Sequence, residues 1–218
     1  MKYSPIVPAI IPANQSEVIS AASSLRFSRE FHLDVVDGVF VPAISWPYEP
    51  AGEPVVVKTV LDVYTLEVDL MTARPIPAAT KWIAAGADML VFHVETIDLE
   101  TFKNFADNTP VSVGVSCSGD TEIETLLSYA EFADYVQLMG IYQIGSQGQP
   151  FTETVFEKIA AVKKQFPKIM ISIDGSVNAT TIQSLKKAGA DRFIVGSAIV
   201  KQPDPEAAHK GLLALIND

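Results

Sequence analysis

Gly86-Ala-Asp-Met-Leu-Val-Phe-His-Val94 opens with a helix-ending tripeptide and runs directly into a strand-like apolar segment. The same arrangement returns in Gly189-Ala-Asp-Arg-Phe-Ile-Val195. Glycine favours the left-handed conformation that closes a helix, and the small and acidic residues after it suit a tight turn into a strand. Two such junctions, far apart in the chain, indicate repeated units of helix and parallel strand.

Outward from these junctions, short β-rich runs alternate with longer stretches of helical periodicity. The predicted strands are Ile6 to Ile11, Phe31 to Val36, Tyr64 to Leu70, Met89 to Val94, Val111 to Val115, Tyr135 to Met139, Ile169 to Ile173 and Arg192 to Val195. The predicted helices are Ser16 to Leu25, Pro54 to Leu61, Pro77 to Ala85, Leu99 to Ala106, Thr121 to Phe132, Thr152 to Phe166, Ala179 to Ala188 and Pro205 to Ile216. Eight alternating units without excess length predict a closed α/β barrel, the (β/α)8 TIM barrel, over the competing open doubly wound sheet.

Composition favours one soluble domain over residues 1–218, because the chain has 218 residues, 48% of them hydrophobic, and no linker-like segment. A net charge of -10 disfavours binding to nucleic acid or to anionic membranes. The first residues, Met1 to Pro5, lack the apolar core of a signal peptide, and no apolar run approaches about 20 residues, so we expect a cytoplasmic protein. The lone Cys117 is interpreted as a small core residue.

Four residues at strand positions could share one site. His32 and Asp34 are two apart on the second predicted strand, so they face the same side, and Asp69 and Asp174 lie near the ends of the third and seventh strands. Each alone could be a core histidine or a turn-forming aspartate. If they converge inside a barrel, the carboxylates need a cation or a proton, and a divalent metal would resolve their repulsion.

Glycine-bearing segments in the later part of the chain suggest a phosphate site. They are Gly145-Ser-Gln-Gly148-Gln149, Gly175-Ser176 at the predicted start of the seventh helix, and Gly196-Ser-Ala198 after the eighth strand. In barrels, loops after the seventh and eighth strands commonly hold phosphate through backbone N–H groups. The negative net charge makes such local donors necessary for an anionic ligand.

A long segment from Gly38 to Glu53, which contains three prolines, breaks the regular alternation. It follows the second strand, so it should lie at the carboxyl end of the barrel. We interpret it as a lid over the site, with a packed surface loop as the alternative.

The sequence resembles the ribulose-phosphate 3-epimerase family over nearly its whole length. The matching stretches are His32-Leu-Asp-Val-Val-Asp-Gly-Val-Phe-Val-Pro42, Asp69-Leu-Met71, Gly86-Ala-Asp88, His93-Val-Glu95, Gly148-Gln149, Ile173-Asp-Gly175, Val177-Asn178 and Gly196-Ser-Ala-Ile199. Allulose-6-phosphate epimerases are also similar, particularly at Asp174-Gly-Ser176.

This resemblance implies a metal-dependent epimerase of a phosphorylated ketose. Asp34 and Asp174 would be the catalytic acid–base pair, exchanging a proton at C3 through an enediolate. A divalent ion would be held by His32, Asp34, Asp69 and Asp174. The implied partner is a phosphorylated sugar, and we expect a homo-oligomer.

The chain departs from the family pattern at several site positions. Asp69 stands where the family has the second histidine ligand, which makes the ligand set more negative and favours Mg²⁺ or Mn²⁺, with Fe²⁺, Co²⁺ and Zn²⁺ also open. In the implied substrate pocket, Ala9 replaces a serine and Val36 a methionine, while Met71 and Met139 match. The loop before Gly148 lacks the family's Asn-Pro-Gly.

Two other functions remain open. The altered ligand set and Ala9 allow a barrel that binds a phosphorylated ligand without epimerising it. Aldolase and decarboxylase barrels similar to hexulose-phosphate synthase would have a lysine between two aspartates at the end of the third strand. Here that place reads Glu67-Val-Asp-Leu-Met-Thr72, so we rank this class last.

Overall fold

The predicted (β/α)8 barrel is confirmed by the structure, a computed structural model that describes residues 3–145 and 148–217. Eight parallel strands close in the order β1 to β8, and β1 pairs with β8 to complete the ring. The strands are β1 Ile6–Ile10, β2 Glu30–Val36, β3 Thr65–Met71, β4 Met89–His93, β5 Ser112–Ser116, β6 Tyr135–Met139, β7 Met170–Asp174 and β8 Arg192–Val195. Every predicted strand is found, with its ends shifted by at most one residue.

Helices follow the strands on the outside of the barrel. They are α1 Gln15–Ser24, α2 Lys58–Leu61, α3 Pro75–Ala84, α4 Leu99–Asn108, α5 Ile123–Ala130, α6 Thr154–Gln165, α7 Ile182–Ala188, α8 Ser197–Val200 and α9 Pro205–Asn217, with 3₁₀ turns at Pro54–Val57 and Val94–Thr96. The sequence did not predict α8, because four residues are too few to show helical periodicity.

The predicted start of the seventh helix is wrong. Helix α7 begins at Ile182, so Gly175 and Ser176 lie in a turn rather than at a helix start. The side chain of Asn178 explains the delay, because its Oδ1 accepts a hydrogen bond from the backbone of Thr180 at 2.9 Å. Such local bonds favour a turn over a helix.

Both helix–turn–strand junctions have the predicted geometry. Gly86 and Gly189 have φ angles of 99° and 111°, in the left-handed region. The carboxylate of Asp88 accepts a hydrogen bond from the backbone N–H of Leu66 on β3 at 2.9 Å, and Asp191 makes the corresponding bond to β7. Each junction therefore also ties a strand to its neighbour.

The apolar core lies between the strands and the surrounding helices, where Trp82, Phe102 and Leu126 are buried against outward-facing strand residues such as Phe31 and Phe92. Much of the inside of the barrel is polar instead. Its buried polar residues include Glu30, His32, Asp34, Glu67, Asp69, His93, Ser116, Gln137, Ser172 and Arg192. Interior positions of a barrel alternate with exterior ones along each strand, so this polar set shares one face.

Within residues 3–145 and 148–217, no helix combines the length and apolar character that crossing a lipid bilayer demands.

Candidate active site

The structure brings together all four side chains of the predicted metal site. His32 and Asp34 lie on β2, Asp69 lies on β3, and Asp174 is the last residue of β7. One potential ligand atom from each lies within 4.8 Å of those of the other three. His32 and Asp69 are fully buried, whereas Asp34 and Asp174 line a cavity that opens above them.

Both ring nitrogens of His32 contact carboxylates. Nδ1 lies 2.6 Å from Oε2 of Glu67, and Nε2 lies 3.1 Å from Oδ1 of Asp34. Burial alone would lower the pKa of His32, but the carboxylates of Glu67 and Asp34 raise it well above its ordinary value. The imidazole of His32 therefore lies between two negative groups, one at each ring nitrogen.

Asp69 is held by donors on both of its oxygens. His93 Nε2 lies 2.8 Å from Oδ1, and Gln137 Nε2 donates to Oδ2 at 2.7 Å. The pKa of His93 is raised above its ordinary value, because the Asp69 carboxylate and other nearby acids outweigh burial, which alone would lower it. Each carboxylate oxygen has a second lone pair, so these contacts still leave Asp69 able to bind a cation.

Asp34 and Asp174 favour their protonated forms more than ordinary aspartates do. Burial raises the pKa of Asp34, against a lowering by His32. Burial also raises the pKa of Asp174 well above its usual range, and the nearby Asp34 carboxylate adds to this. Two carboxyl groups that resist simultaneous ionisation can act as one acid and one base.

The donor set fits a divalent cation. Three carboxylates and one imidazole nitrogen converge from three strands, in a largely buried place where unpaired negative charge is unfavourable. The raised pKa values of Asp34 and Asp174 reflect that unfavourable charge. Oxygen-rich sets with one nitrogen suit Mg²⁺ or Mn²⁺ and also allow Zn²⁺.

The cavity above the cluster has a volume of about 250 Å³. Most residues predicted for the substrate pocket or for phosphate binding line it: Ala9, Met71, Met139, Gly145, Gly148, Gln149, Gly175, Ser176, Gly196 and Ser197. Val36 does not line it and is instead buried in a cluster with Met71 and Met139. The sequence had not indicated the further lining residues Ile11, Ile141 and Ile194, whereas Val177, Asn178 and Ala198 lie in stretches that match the family. One cavity thus joins the acid cluster to the glycine-bearing loops.

The glycine-bearing rim has an unusual backbone. Gly175 has a φ of 90°, and Ser176, with a φ of 53°, is also left-handed. A Cβ on Gly175 would lie only 2.7 Å from Ile141, so glycine is needed there for space as well as conformation. In the segment from Gly145 to Gln149, Ser146 and Gln147 lie outside the described residues.

The segment predicted as a lid is only partly at the mouth. Its second half is anchored, because Trp46 is buried and packs edge-on against Trp82 with ring centroids 6.0 Å apart. The first half borders the site, where Phe40 packs on His93 at 5.2 Å and Val39 is 74% exposed. The lid interpretation therefore applies to residues 38–44 at most.

Four residues around the cluster were missed as parts of the site: Glu67, His93, Gln137 and Arg192. Spacing along the strands could have indicated two of them, since Glu67 lies two residues before Asp69 and Gln137 two before Met139, on the same inward faces. The spacing of residues along β8 does not indicate a role for Arg192, because the carboxylates that it contacts, Glu67 and Glu30, lie on other strands.

A closed barrel with an acid cluster and a glycine-lined cavity toward the carboxyl ends of its strands belongs to the (β/α)8-barrel enzymes. Comparison with family models matches residues 5–200 to the ribulose-phosphate 3 epimerase family. The chain belongs to this family, and it is therefore an epimerase, an isomerase that acts on carbohydrates.

Individual relatives agree with this assignment. The ribulose-phosphate 3-epimerase of Mycobacterium tuberculosis is 31% identical over 210 residues, covering 93% of this chain and 89% of that protein. That of Chlamydia muridarum is 28% identical over 217 residues, covering 95% of this chain and 93% of that protein.

Solved structures show the same fold at low sequence identity. The 3-keto-L-gulonate-6-phosphate decarboxylase of Vibrio cholerae superimposes with a TM-score of 0.74 at 16% identity, covering 97% of this chain and 96% of that one. KGPDC of Streptococcus mutans in complex with D-R5P gives a TM-score of 0.72 at 16% identity, with the same coverage. At such identity the likeness concerns architecture alone.

Proposed function

We propose that this chain interconverts ribulose 5-phosphate and xylulose 5-phosphate, or the C3 epimers of a related pentulose or hexulose phosphate. The observation that carries the proposal is that Asp34 and Asp174, from β2 and β7, line one cavity beside the glycine-bearing loops. The relatives named ribulose-phosphate 3-epimerase support the choice of substrate.

Asp34 and Asp174 act as the proton-transfer pair. One carboxylate removes the proton at C3, leaving an enediolate, and the other, protonated, returns a proton to the opposite face. The raised pKa values support this division, because one carboxyl can hold a proton while its neighbour is ionised. The roles exchange when the reaction runs in the other direction.

His32, Asp34, Asp69 and Asp174 would hold a divalent cation. Such an ion, when bound, supplies Lewis-acid stabilisation of negative charge on the substrate oxygens. His93 and Gln137 keep Asp69 directed at the cluster through their two hydrogen bonds.

The phosphate group would sit at the glycine-bearing rim. Gly175, Ser176, Gly196 and Ser197 follow β7 and β8, and they line the same cavity as Gly145, Gly148 and Gln149. Backbone N–H groups at such positions can bind an anion despite the net charge of -10.

The test is proton exchange with solvent. Folded protein is incubated with ribulose 5-phosphate in D₂O with Mg²⁺, Mn²⁺, Fe²⁺, Co²⁺ or Zn²⁺ in turn, and NMR follows C3 of both epimers. Deuterium should enter C3 of ribulose and xylulose 5-phosphate as they interconvert. Absence of exchange with every ion, extended to hexulose phosphates, would rule the proposal out.

A second function, phosphosugar binding without epimerisation, is favoured by one observation: the cluster has three carboxylates and one imidazole, a negative ligand set that would weaken a bound divalent cation as a Lewis acid. Calorimetry separates the two functions. Tight binding of ribulose 5-phosphate without exchange at C3 would support this alternative, whereas an activity abolished by Asp34→Asn would exclude it. The exposed Asp107→Asn serves as the control substitution.

A further inference from the structure

A chain of buried charges lies beneath His32, on the side away from the cavity. Oε2 of Glu67 contacts His32 Nδ1 at 2.6 Å and accepts a hydrogen bond from Arg192 Nη1 at 2.7 Å. Arg192 donates through Nε and Nη2 to Oε2 of Glu30, at 3.1 and 2.8 Å. All four residues are at most 4% exposed, so water does not compete for these bonds.

The strand register places Glu67 next to His32. The two residues are direct partners across β2 and β3, and Arg192 reaches them from β8. Glu67 is thus fixed by its own strand and by a guanidinium that is itself anchored to Glu30. Little freedom remains for the carboxylate that meets the ring.

The contact determines which ring nitrogen is available. A carboxylate at 2.6 Å from Nδ1 accepts the proton there, which leaves Nε2 pointing toward Asp34 and the rest of the cluster. In metal sites, a carboxylate partner of this kind fixes the tautomer and orientation of a histidine ligand.

A purely structural ion pair is the competing explanation, because Arg192 also joins β8 to β2. That explanation applies equally to both of the carboxylates bonded to Arg192. Of these two residues, Glu67 and Glu30, only Glu67 makes a hydrogen bond to His32. A role in positioning His32 can therefore belong to Glu67 and not to Glu30.

We propose that Glu67, anchored by Arg192, is a positioning residue that holds His32 with Nε2 directed at the cation. This inference rests on the proposed function in so far as that function includes a divalent ion at His32, Asp34, Asp69 and Asp174.

Binding of Mn²⁺ alone tests the proposal, with free Mn²⁺ measured by electron paramagnetic resonance on wild-type protein, Glu67→Gln and the matched control Glu30→Gln. The two variants remove the same charge beside the same arginine. Glu67→Gln should weaken Mn²⁺ binding by about 10–100-fold, the usual effect of losing such a partner. Glu30→Gln should stay within about twofold of wild type, because a positioning effect requires contact with the ligand. Equal losses in the two variants would show a structural role and overturn the proposal.

A second measurement uses wild-type protein and does not depend on how the variants fold. With Zn²⁺ bound and histidines labelled with ¹⁵N, NMR should find the His32 proton on Nδ1. A proton on Nε2 instead would refute the proposal.

The outcomes also separate this inference from the proposed function. Wild-type protein that epimerises ribulose 5-phosphate but binds no Mn²⁺ or Zn²⁺ overturns the inference and leaves the epimerase standing. Wild-type protein that binds Mn²⁺ through a Glu67-dependent His32, yet exchanges no C3 proton, supports the inference while the proposed function fails.

Discussion

At the scale of single residues, the interior of the barrel is unusual because it contains several buried acidic side chains. Glu30, Asp34, Glu67 and Asp69 are all at most 6% exposed, and each contacts a histidine, an arginine or an amide. Buried carboxylates are tolerated when they are paired and hydrogen-bonded. Asp174 differs, because its largest influences are burial and the like charge of Asp34. That difference makes Asp174 the carboxyl that most readily holds a proton in the pair proposed for proton transfer.

The two-aspartate mechanism predicts complementary behaviour of the single variants. Asp34→Asn and Asp174→Asn should each slow epimerisation by about 10²–10⁴-fold, the usual contribution of a positioned acid or base. The remaining carboxylate can still remove and return a proton on its own face. Each variant should therefore exchange deuterium at C3 of one epimer without inversion, and the two variants should select opposite epimers.

NMR of ribulose and xylulose 5-phosphate in D₂O, at saturating Mn²⁺, gives both quantities. The exposed Asp107→Asn is the control and should behave as wild type. Exchange of the same epimer by both variants, or of neither, would contradict the mechanism.

At the scale of elements, an aspartate before a strand recurs as a structural device. Asp88, Asp134 and Asp191 each precede a strand, and each carboxylate accepts a backbone N–H of the preceding strand at 2.8–2.9 Å. The bond fixes the entry of each strand at the amino end of the barrel. The carboxyl ends are left to the loops that form the cavity, among them the turn at Gly175.

Glycine 175 should be needed for both stability and ligand binding. Gly175→Ala places a Cβ at a φ of 90° and 2.7 Å from Ile141, so we expect a loss of about 1–2 kcal/mol from the backbone alone. Because the turn lines the cavity, the KM for ribulose 5-phosphate should rise as well.

Gly211→Ala is the matched control, since Gly211 lies in α9 with nothing within 4 Å of a Cβ. It should gain about 0.5–1 kcal/mol and leave KM unchanged. Urea unfolding and steady-state kinetics measure the two effects. An unstrained, fully active Gly175→Ala would show that the turn adapts.

At the scale of the whole molecule, proton binding by the interior links stability to pH. Without a cation, the pKa values of His32, His93 and Asp174 are all raised in the folded protein, the histidines by nearby carboxylates that outweigh burial, and Asp174 by burial. The folded state then holds protons more tightly than the unfolded chain. By linkage, stability falls as pH rises above about 6.5, the ordinary histidine value.

Metal-free protein should therefore melt at a lower temperature at pH 8.5 than at pH 7.0. Each kcal/mol lost lowers the melting temperature by about 2–4 °C for a chain of this size. His209 opposes the trend only weakly, because burial lowers its pKa and an unfolded histidine loses most of its proton by pH 7.0. Calorimetry with a chelator measures the fall.

Two controls locate the effect in the cluster. Asp174→Asn should reduce the pH slope, since an amide takes up no proton. Saturating Mn²⁺ should stabilise the protein more at pH 8.5 than at pH 7.0, because bound ligands are deprotonated. A melting temperature that rises with pH in metal-free protein would refute the assignment of these protons.

The sequence by itself determined the barrel and the four residues of the cluster. The periodicity of strands and helices is a local property of the sequence. The residues at the junctions that begin with Gly86 and Gly189 are those that a tight turn from helix to strand requires. His32 and Asp34 share a face through their spacing alone, and Asp69 and Asp174 occupy comparable places at strand ends.

Only the tertiary structure decided how those residues are supported. Glu67 meets Arg192 across 125 positions of the chain, and Gln137 meets Asp69 across 68. Such contacts arise from the register and closure of the barrel, which no local pattern encodes. The start of α7 has a local cause instead, because a hydrogen bond to the Asn178 side chain favours a turn where periodicity alone predicts helix. Local sequence preferences determine which segments form strands and helices, whereas closure of the sheet determines which side chains of different strands come into contact.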